Sequence, residues 1–314
     1  IAWEKQRRST VLANELDAVL HQLEFNYSRV IRYTVLTAIS LKIILVKHYD
    51  IIFVQNPSII LSFLMCSIKP FFKSSKVIID AHTPYLKLNG IKKSIFEWLN
   101  RAIFGLSDLV IVTNKDLKEI YEAKYQKGKF YVLPDKIPNF YEPKLKPTHD
   151  KIEIFLICTY SKDEPFFEAL KAVDGMDNVV LYVSGDKRKI SQKEMPIVQE
   201  NVFLTGFLKE EDYINLLNKV DLVMVLTIQE NCMLCGAYEG VSVEKPMILS
   251  DKKVLREYFN SGVVFTKNNA TDIRKSIQIA IDNYKQLALD IKVLKKQRSA
   301  EWKQQWNTLI NLLG

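Results

Sequence analysis

The chain alternates short runs of β-branched residues with longer segments whose apolar residues recur at helical spacing. The runs are nearly continuous in Val, Ile and Leu, as expected for strands that are buried on both faces of a parallel sheet. We predict strands at Ile51–Gln55, Lys76–His82, Asp108–Asn114, Lys129–Pro134, Ile152–Thr159, Val179–Gly185, Val202–Gly206, Asp221–Thr227, Pro246–Asp251 and Gly262–Thr266. Between them, apolar positions three and four apart predict helices, as at Ile91, Ile95, Trp98, Leu99, Ala102 and Ile103. An alternation this long indicates an α/β doubly wound fold.

The prolines between Leu133 and Lys151 divide this pattern into two halves. Four prolines in so short a stretch are incompatible with a helix interior or a central strand, so we predict an interdomain linker. The strand–helix pattern restarts after it. We therefore predict an N-terminal Rossmann-like domain over residues 1–143 and a C-terminal one over residues 144–299, with ligands bound at the carboxyl ends of the strands.

Properties of the whole chain exclude several classes of protein. No apolar run among the 314 residues reaches the roughly 18 to 20 needed to cross a bilayer. Charged residues occupy the place of the apolar part of a signal peptide, and four cysteines do not make a disulfide framework, so we expect a cytoplasmic protein. Neither G-x-G-x-x-G nor a P-loop motif occurs, which argues against those nucleotide sites. Because only Ile1–Trp3 precede the first polar turn, we expect the first strand to be incomplete.

The basic excess is confined to the N-terminal half. Residues 1–143 hold 20 Lys and Arg against 13 Asp and Glu, a net charge of +7, whereas the remaining residues hold 24 against 23, a net charge of +1. No aromatic-interleaved basic stripe points to nucleic acid. Basic residues beside bulky apolar ones fit a peripheral position on the anionic inner face of a membrane, and an ordinary solvated face is the alternative. The residues concerned are Lys69, Phe71, Phe72, Lys73, Lys92 and Lys93.

The segment Asn231–Asp251 contains a Cys-x-x-Cys motif and a glutamate. A zinc site needs a second pair of Cys or His, which the chain does not supply near Cys232 and Cys235, so we predict that these cysteines are structural. Glu239 lies in the early turns of a predicted helix, whose N-terminus suits a diphosphate, and its carboxylate can accept hydrogen bonds from ribose hydroxyls. Gly236 would let the backbone approach the phosphates. A carboxylate that only stabilises the helix dipole is the alternative for Glu239.

The run from Asp221 to Asp251 resembles the C-terminal domain of nucleotide-sugar glycosyltransferases of the GT-B fold, especially glycosyltransferase family 4. In that family two acids lie eight residues apart, and a Pro follows the second acid by seven residues. Glu239 and Pro246 match the second acid and the Pro. Weaker similarity extends along the chain, in DAHTP, DLVIVTN, VLPDKIPNF, NVFLTGFLKEEDY and EWKQQWNTLINLL.

The resemblance implies two Rossmann-like domains that face a central cleft, with the final helix, 300–314, packing back on the N-terminal domain. It implies a hexosyltransferase of polysaccharide biosynthesis that moves a sugar from a nucleotide-sugar donor to a glycan or lipid-linked acceptor. Retention of anomeric configuration, no metal site and no cofactor are also implied, because helix dipoles and cations take the place of a metal in such enzymes.

The resemblance also implies roles for single residues. The first acid position falls on Asn231, with Glu230 one residue earlier, and these two residues and His82 at a strand end are the predicted catalytic residues. The predicted donor-binding residues are Ser161, Lys162, Arg188, Gly206, Phe207, Leu208, Cys235, Gly236, Ala237, Tyr238 and Glu239. Arg7 and Arg8 are predicted on the acceptor side.

Two alternatives remain open at this point. The displaced first acid, and Glu244 where the family has Gly, favour a degenerate, non-catalytic transferase-like subunit. A nonhydrolysing sugar-nucleotide epimerase on the same fold would act on the nucleotide sugar without an acceptor. Nucleotide binding without turnover would distinguish the first alternative from an enzyme.

Overall fold

The computed structural model describes residues 1–25, 27–56, 58–71, 75–82, 90–140, 151–190 and 199–314. Strands form at all ten predicted places: β1 (Ile51–Gln55), β2 (Lys76–Asp80), β3 (Leu109–Val112), β4 (Phe130–Val132), β5 (Ile152–Leu156), β6 (Val179–Ser184), β7 (Val202–Gly206), β8 (Leu222–Val225), β9 (Met247–Ser250) and β10 (Val263–Thr266). The helices of the described residues are α1 (Arg7–Glu15), α2 (Arg29–Val46), α3 (Ile59–Ile68), α4 (Gly90–Leu106), α5 (Lys115–Lys124), α6 (Phe166–Ala172), α7 (Glu210–Lys219), α8 (Cys235–Ser242), α9 (Lys253–Tyr258), α10 (Ala270–Asp282) and α11 (Tyr284–Leu313). The predicted α/β class is confirmed.

The chain forms two compact units. Residues Ile1–Lys136 and Trp302–Gly314 make up the first unit, and Ile137–Glu301 make up the second, so that α11 contributes residues to both. The domain boundary predicted after residue 143 falls within 141–150, outside the described residues.

The first unit contains a parallel sheet in the order β1-β2-β3-β4. Its two faces are covered by different cores. Leu36, Ile103 and Phe104 belong to the core on one side, and Leu12 and Trp302 belong to the other. Because both faces are buried, the strands read as continuous apolar runs in the sequence.

The C-terminal turns of α11 are held to the first unit by two stacked tryptophans. Trp302 and Trp306 are both buried, and their ring centroids lie 5.2 Å apart with planes 11° from parallel. The Trp302 Nε1–H donates to the Pro134 carbonyl at 3.1 Å, and the Tyr131 hydroxyl donates to the Gln305 carbonyl at 2.6 Å. The segment after β4 is therefore fixed by side chains from α11.

Helix α4 leaves much of its apolar pattern exposed. The helix is present, but Ile91, Ile95 and Trp98 are 79%, 55% and 62% exposed. The buried residues of α4 are instead Asn100, Ile103 and Phe104. The spacing of three and four that predicted the helix thus describes, over its first two turns, an apolar stripe on the surface.

The second unit contains six parallel strands in the order β10-β9-β8-β5-β6-β7. This is the order of a doubly wound Rossmann sheet, in which the direction of winding reverses between β5 and β8. Ligands of open α/β sheets bind in the crevice outside the carboxyl ends of the strands at this switch point. The loops that follow β5 and β8, residues 157–165 and 226–234, therefore flank the expected ligand site of this unit.

Candidate active site

Hydrogen bonds accepted by Asp163 join the two loops at the switch point of the second unit. The Asp163 carbonyl accepts from the Ile228 amide at 2.8 Å, and its carboxylate accepts from the Gln229 side-chain amide at 2.9 Å. The predicted residues Ser161 and Lys162 are thereby brought beside the loop that carries Glu230 and Asn231.

Within the loop after β5, the Glu164 carboxylate organises the backbone. It accepts from the amides of Thr159 and Ser161, each at 2.8 Å, and the hydroxyls of these two residues lie 2.9 Å apart. Tyr160 between them adopts a left-handed conformation, with φ of 58°, and its ring is buried against Phe166. Lys162 is exposed, so a phosphate at this loop would meet an accessible ammonium group.

Two glycines bring α8 close to the sheet. A Cβ on Gly236 would lie 3.1 Å from side-chain atoms of both Ile157 and Val225, and one on Gly240 would lie 2.6 Å from the Met247 sulfur. These contacts place the start of α8 between the ends of β5 and β8. Glycine at position 236 is therefore favoured by close packing against the sheet, a reason that the sequence prediction did not consider.

The predicted residues at the start of α8 differ in exposure. Cys235 is exposed, whereas Ala237 and Tyr238 are buried, and Tyr238 packs against the rings of Tyr258 and Phe259. Side-chain contact with a ligand at this helix start is therefore open to Cys235 and not to Tyr238. The N-cap residue Leu234 provides no side-chain cap, so backbone amides of the first turn suit an anion.

Glu239 is half-buried, and its carboxylate is held by a tyrosine that the sequence analysis missed. The Tyr213 hydroxyl, from α7, donates to Glu239 Oε2. The Tyr213 ring packs edge-on against Phe155 of β5, with centroids 5.4 Å apart. An aromatic residue one turn into the preceding helix is a weak sequence signal, because only the tertiary fold brings α7 beside α8.

Glu230 and Asn231, the predicted sugar-facing residues, lie in the loop after β8. The exposed Glu230 carboxylate forms an ion pair with Lys252, whose side chain is only 14% exposed. Lys252 follows β9 and was also missed from the sequence. The structure therefore pairs the displaced acid with a half-buried lysine.

The remaining predicted donor residues lie at the ends of β6 and β7. Gly206 adopts a φ of 78°, a conformation that favours glycine, and its carbonyl accepts from the Gly185 amide at 3.2 Å. Phe207 is 87% exposed, and Leu208 is half-buried against the core of the second unit. The Arg188 guanidinium is paired with Asp186, and these hydrogen bonds lower the pKa of Asp186 to about 2. A phosphate at Arg188 would compete with that carboxylate.

In the first unit, His82 and Arg8 meet on a buried aspartate that the sequence analysis did not select. Asp80 ends β2, and its carboxylate lies 2.9 Å from Arg8 Nε and 3.0 Å from His82 Nδ1. The Arg8 guanidinium also donates to Asp135 at 2.6 Å and to the Leu133 carbonyl at 3.1 Å. Burial alone would raise the pKa of Asp80, but the charges and hydrogen bonds of Arg8 and His82 outweigh it and lower that pKa to about 2. Arg7, the neighbouring acceptor-side candidate, is exposed on α1.

The described part of the chain contains neither a metal-ligand cluster nor a membrane-spanning helix. No group of three or more His, Cys, Asp or Glu there is arranged to hold a metal ion. No helix there combines the length and apolar character needed to span a bilayer.

Solved structures share this fold at low sequence identity. A sucrose-phosphate synthase from Thermosynechococcus elongatus superposes with a TM-score of 0.73 at 12% identity, over 94% of this chain and 84% of that one. A glycosyltransferase from Rickettsia africae gives 0.67 at 14% identity, over 97% and 86%. The Anabaena protein Alr3699/HepE, solved with UDP and glucose, gives 0.65 at 12% identity, over 96% and 88%.

Comparison by sequence identifies the family. No curated protein matches the chain. The model of the family described as glycosyl transferases group 1 matches residues 139–297, which is just over half of the chain and nearly all of the second unit. The chain therefore belongs to the glycosyl transferases group 1 family and is a glycosyltransferase with two Rossmann-like domains of the GT-B type.

Proposed function

We propose that this glycosyltransferase takes its sugar from a nucleotide-sugar donor bound by the second unit. The observation that carries the proposal is the position of Glu239, which Tyr213 holds beside the start of α8 at the switch point of the sheet. A helix N-terminus suits a diphosphate, and a fixed carboxylate suits the two hydroxyls of a ribose. The exposed Lys162 adds a positive charge in the neighbouring loop.

Binding of nucleotides by isothermal titration tests this proposal. UDP, GDP and ADP and their glucose conjugates form the panel, with UDP first because HepE was solved with UDP-glucose. Glu239→Ala should weaken binding of the preferred nucleotide by roughly 1.5 to 3 kcal/mol, or about ten- to 150-fold, because hydrogen bonds to a charged group are lost. Glu257→Ala, which removes a carboxylate paired with Lys253 on α9, is the matched control and should bind as the wild type does. A folded Glu239→Ala variant with wild-type affinity would contradict the proposal.

The transfer step that we propose breaks the bond between the sugar C1 and the diphosphate and forms a bond from C1 to an acceptor oxygen, with retention of configuration. The acceptor hydroxyl gives its proton to the leaving diphosphate, on which negative charge develops as the bond to C1 breaks. The N-terminal dipole of α8 and the Lys162 ammonium stabilise that charge, so no divalent cation is required. The anomeric proton coupling of the product, measured by NMR, tests retention, and an unchanged rate in excess EDTA tests metal independence. Nucleotide binding without transfer to any glycan or lipid-linked acceptor would favour a degenerate subunit.

We further propose that the acceptor is presented at an anionic membrane surface that binds the first unit. The exposed stripe of Ile91, Ile95 and Trp98 on α4 lies beside the exposed Lys92 and Lys93. Basic residues next to apolar ones suit an anionic interface, and each contributes on the order of 1 kcal/mol there.

The composition of this surface differs from the one that the sequence suggested. The Lys69 ammonium donates to Asp108 at 2.7 Å and to the Leu106 carbonyl at 3.1 Å, so it is already neutralised within the unit. Phe71 is 83% exposed, and Phe72 and Lys73 lie outside the described residues.

Liposome co-sedimentation with and without anionic lipid, at low and high salt, tests membrane binding. Lys92→Glu/Lys93→Glu should abolish the salt-sensitive binding, because electrostatic attraction acts over about a Debye length. Lys127→Glu/Lys129→Glu reverses two exposed charges elsewhere on the first unit and should bind as the wild type does. Equal binding by both variants, or none by the wild type, would favour an acceptor away from the membrane.

A further inference from the structure

The cluster of Arg8, Asp80, His82 and Asp135 in the first unit has the geometry of an orienting device. His82 lies two residues after Asp80, the last residue of β2, and the contact of 3.0 Å between their side chains places both on the same side of the backbone. The Ala81 amide between them donates to the Ile111 carbonyl at 2.8 Å, which keeps this backbone attached to β3. The sheet thus holds the backbone beside His82, and the Asp80 carboxylate holds the His82 ring.

We propose that Asp80, held in place by Arg8, is a positioning residue that orients His82 with its Nδ1–H on the Asp80 carboxylate and its Nε2 atom presented to the substrate. The proposal rests on the proposed transfer reaction and on the catalytic role that the sequence analysis predicted for His82, and it adds the two residues that would fix the ring. It also changes the predicted role of Arg8, whose side chain is only 6% exposed, from a contact with the acceptor to a support for Asp80.

The protonation of the pair follows from the charges around it. An ionised carboxylate can only accept hydrogen bonds, so the proton of the contact must be on His82 Nδ1. Arg8 keeps Asp80 ionised, in line with its lowered pKa. In the neutral ring Nε2 is then an acceptor, which suits a sugar hydroxyl.

The hydrogen bonds of Arg8 restrict the orientation of the Asp80 carboxylate. Its planar guanidinium bonds Asp80 through Nε, Asp135 through one terminal nitrogen and the Leu133 carbonyl through the other. The segment after β4 that carries Leu133 and Asp135 is itself fixed by Trp302, which donates to the Pro134 carbonyl. A planar fork with three fixed acceptors holds a carboxylate in one orientation better than a single ammonium would.

A structural ion pair alone would give the same contacts, so the test needs a readout that stability does not move. Asp80→Asn preserves shape and an oxygen acceptor for Arg8, but its amide can donate to His82 Nδ1. The ring should then carry its proton on Nε2. The chain has four histidines, and nitrogen-15 NMR of the imidazoles, with His82→Gln to assign the signal, distinguishes the two tautomers at a pH where the ring is neutral.

We expect the His82 ring to carry its proton on Nδ1 in the wild type and on Nε2 in Asp80→Asn. We expect the kcat of Asp80→Asn to be at least tenfold lower than that of the wild type. Its KM for the nucleotide sugar should change less than threefold. Asp108→Asn is the matched control. Asp108 precedes β3, at the amino ends of the strands of the same sheet, and it accepts from the Val77 amide and from Lys69, both at 2.7 Å. It should leave the His82 tautomer and kcat unchanged.

Three outcomes would overturn the proposal: an Nε2–H ring in the wild type, an unchanged tautomer in a folded Asp80→Asn variant, or a switched tautomer with wild-type kcat. The wild-type measurement decides the first even if the variant does not fold. A wild type that transfers no sugar from any nucleotide sugar would instead refute the proposed function, and the tautomer of His82 would still decide whether Asp80 orients the ring.

Discussion

Tyr213→Phe should weaken nucleotide binding while the second unit stays folded. The Tyr213 hydroxyl donates to Glu239 Oε2, and its ring packs against Phe155 with planes 61° apart. Phenylalanine keeps that ring contact and removes only the hydroxyl. The variant therefore tests whether the orientation of the Glu239 carboxylate matters for the ligand.

The expected size of the effect follows from the contacts. A hydrogen bond to a charged group contributes roughly 1.5 to 3 kcal/mol. Because Glu239 is half-buried, water can partly replace the lost hydroxyl as a donor to its carboxylate. We expect a loss of about 0.5 to 1.5 kcal/mol in binding, which is roughly two- to tenfold in Kd. In the Glu239→Ala background the same tyrosine substitution should have no further effect, because the coupling partner is gone.

A second tyrosine–glutamate pair in the same unit provides the control. The Tyr182 hydroxyl donates to Glu153 Oε1 at 2.9 Å, near the start of β5 and away from the loops at the carboxyl edge. Isothermal titration should give an unchanged Kd for Tyr182→Phe, with a similar small loss of stability in both variants. Wild-type affinity in Tyr213→Phe, or equal weakening by the two substitutions, would refute the role given to Tyr213.

Three further predictions concern stability and the cysteines. Trp302→Ala should lower the free energy of unfolding of the first unit by about 3 to 5 kcal/mol. Leu312→Ala, at a position 57% exposed, should change it by less than about 0.5 kcal/mol. Denaturation followed by tryptophan fluorescence measures both changes, since all four tryptophans lie in that unit. Because the folded pKa of Asp80, about 2, lies below its ordinary value of 3.8, its contribution to stability is complete above that value and is lost as the pH falls toward 2; urea titrations across this range should show the loss, and Asp80→Asn should lack it. The double variant Cys232→Ser/Cys235→Ser should keep its activity, and the purified protein should contain no stoichiometric zinc by elemental analysis; bound zinc, or activity that follows thiol oxidation, would contradict a purely structural role.

The sequence predicted the inner strands of both sheets well because they are buried on both faces and read as continuous apolar runs. For β1 and β7 at the sheet edges the predicted and observed bounds also coincide, although only Val202 of β7 is buried. Helix α4 shows the limit of this reasoning. Its apolar spacing predicted a helix correctly but did not indicate that Ile91, Ile95 and Trp98 are exposed, because periodicity records which residues share a face and not what that face contacts.

The candidate site was predictable where a single loop or helix start carries the chemistry. Lys162 and Glu239 could be predicted because Lys162 lies in the loop that follows one strand and Glu239 lies near the start of the helix that follows another. Tyr213, Asp80 and Lys252 could not be selected in this way, because each acts through a partner far away in the chain. Their importance depends on tertiary pairing, which one sequence without relatives does not contain.

The pairing of Glu230 with Lys252 gives the displaced acid a physical consequence. A free carboxylate in this loop would repel a diphosphate nearby, whereas a carboxylate paired with a cation carries little net charge. Losing the Glu230 carboxylate would leave the half-buried Lys252 without this ion pair, so that its ammonium could attract another anion. Substituting Glu230 therefore makes the site more positive and should strengthen binding of the diphosphate. If Glu230 only contacted sugar hydroxyls, the same substitution should weaken binding of the nucleotide sugar. The sign of the change in nucleotide affinity in Glu230→Gln separates these two roles without any knowledge of the acceptor.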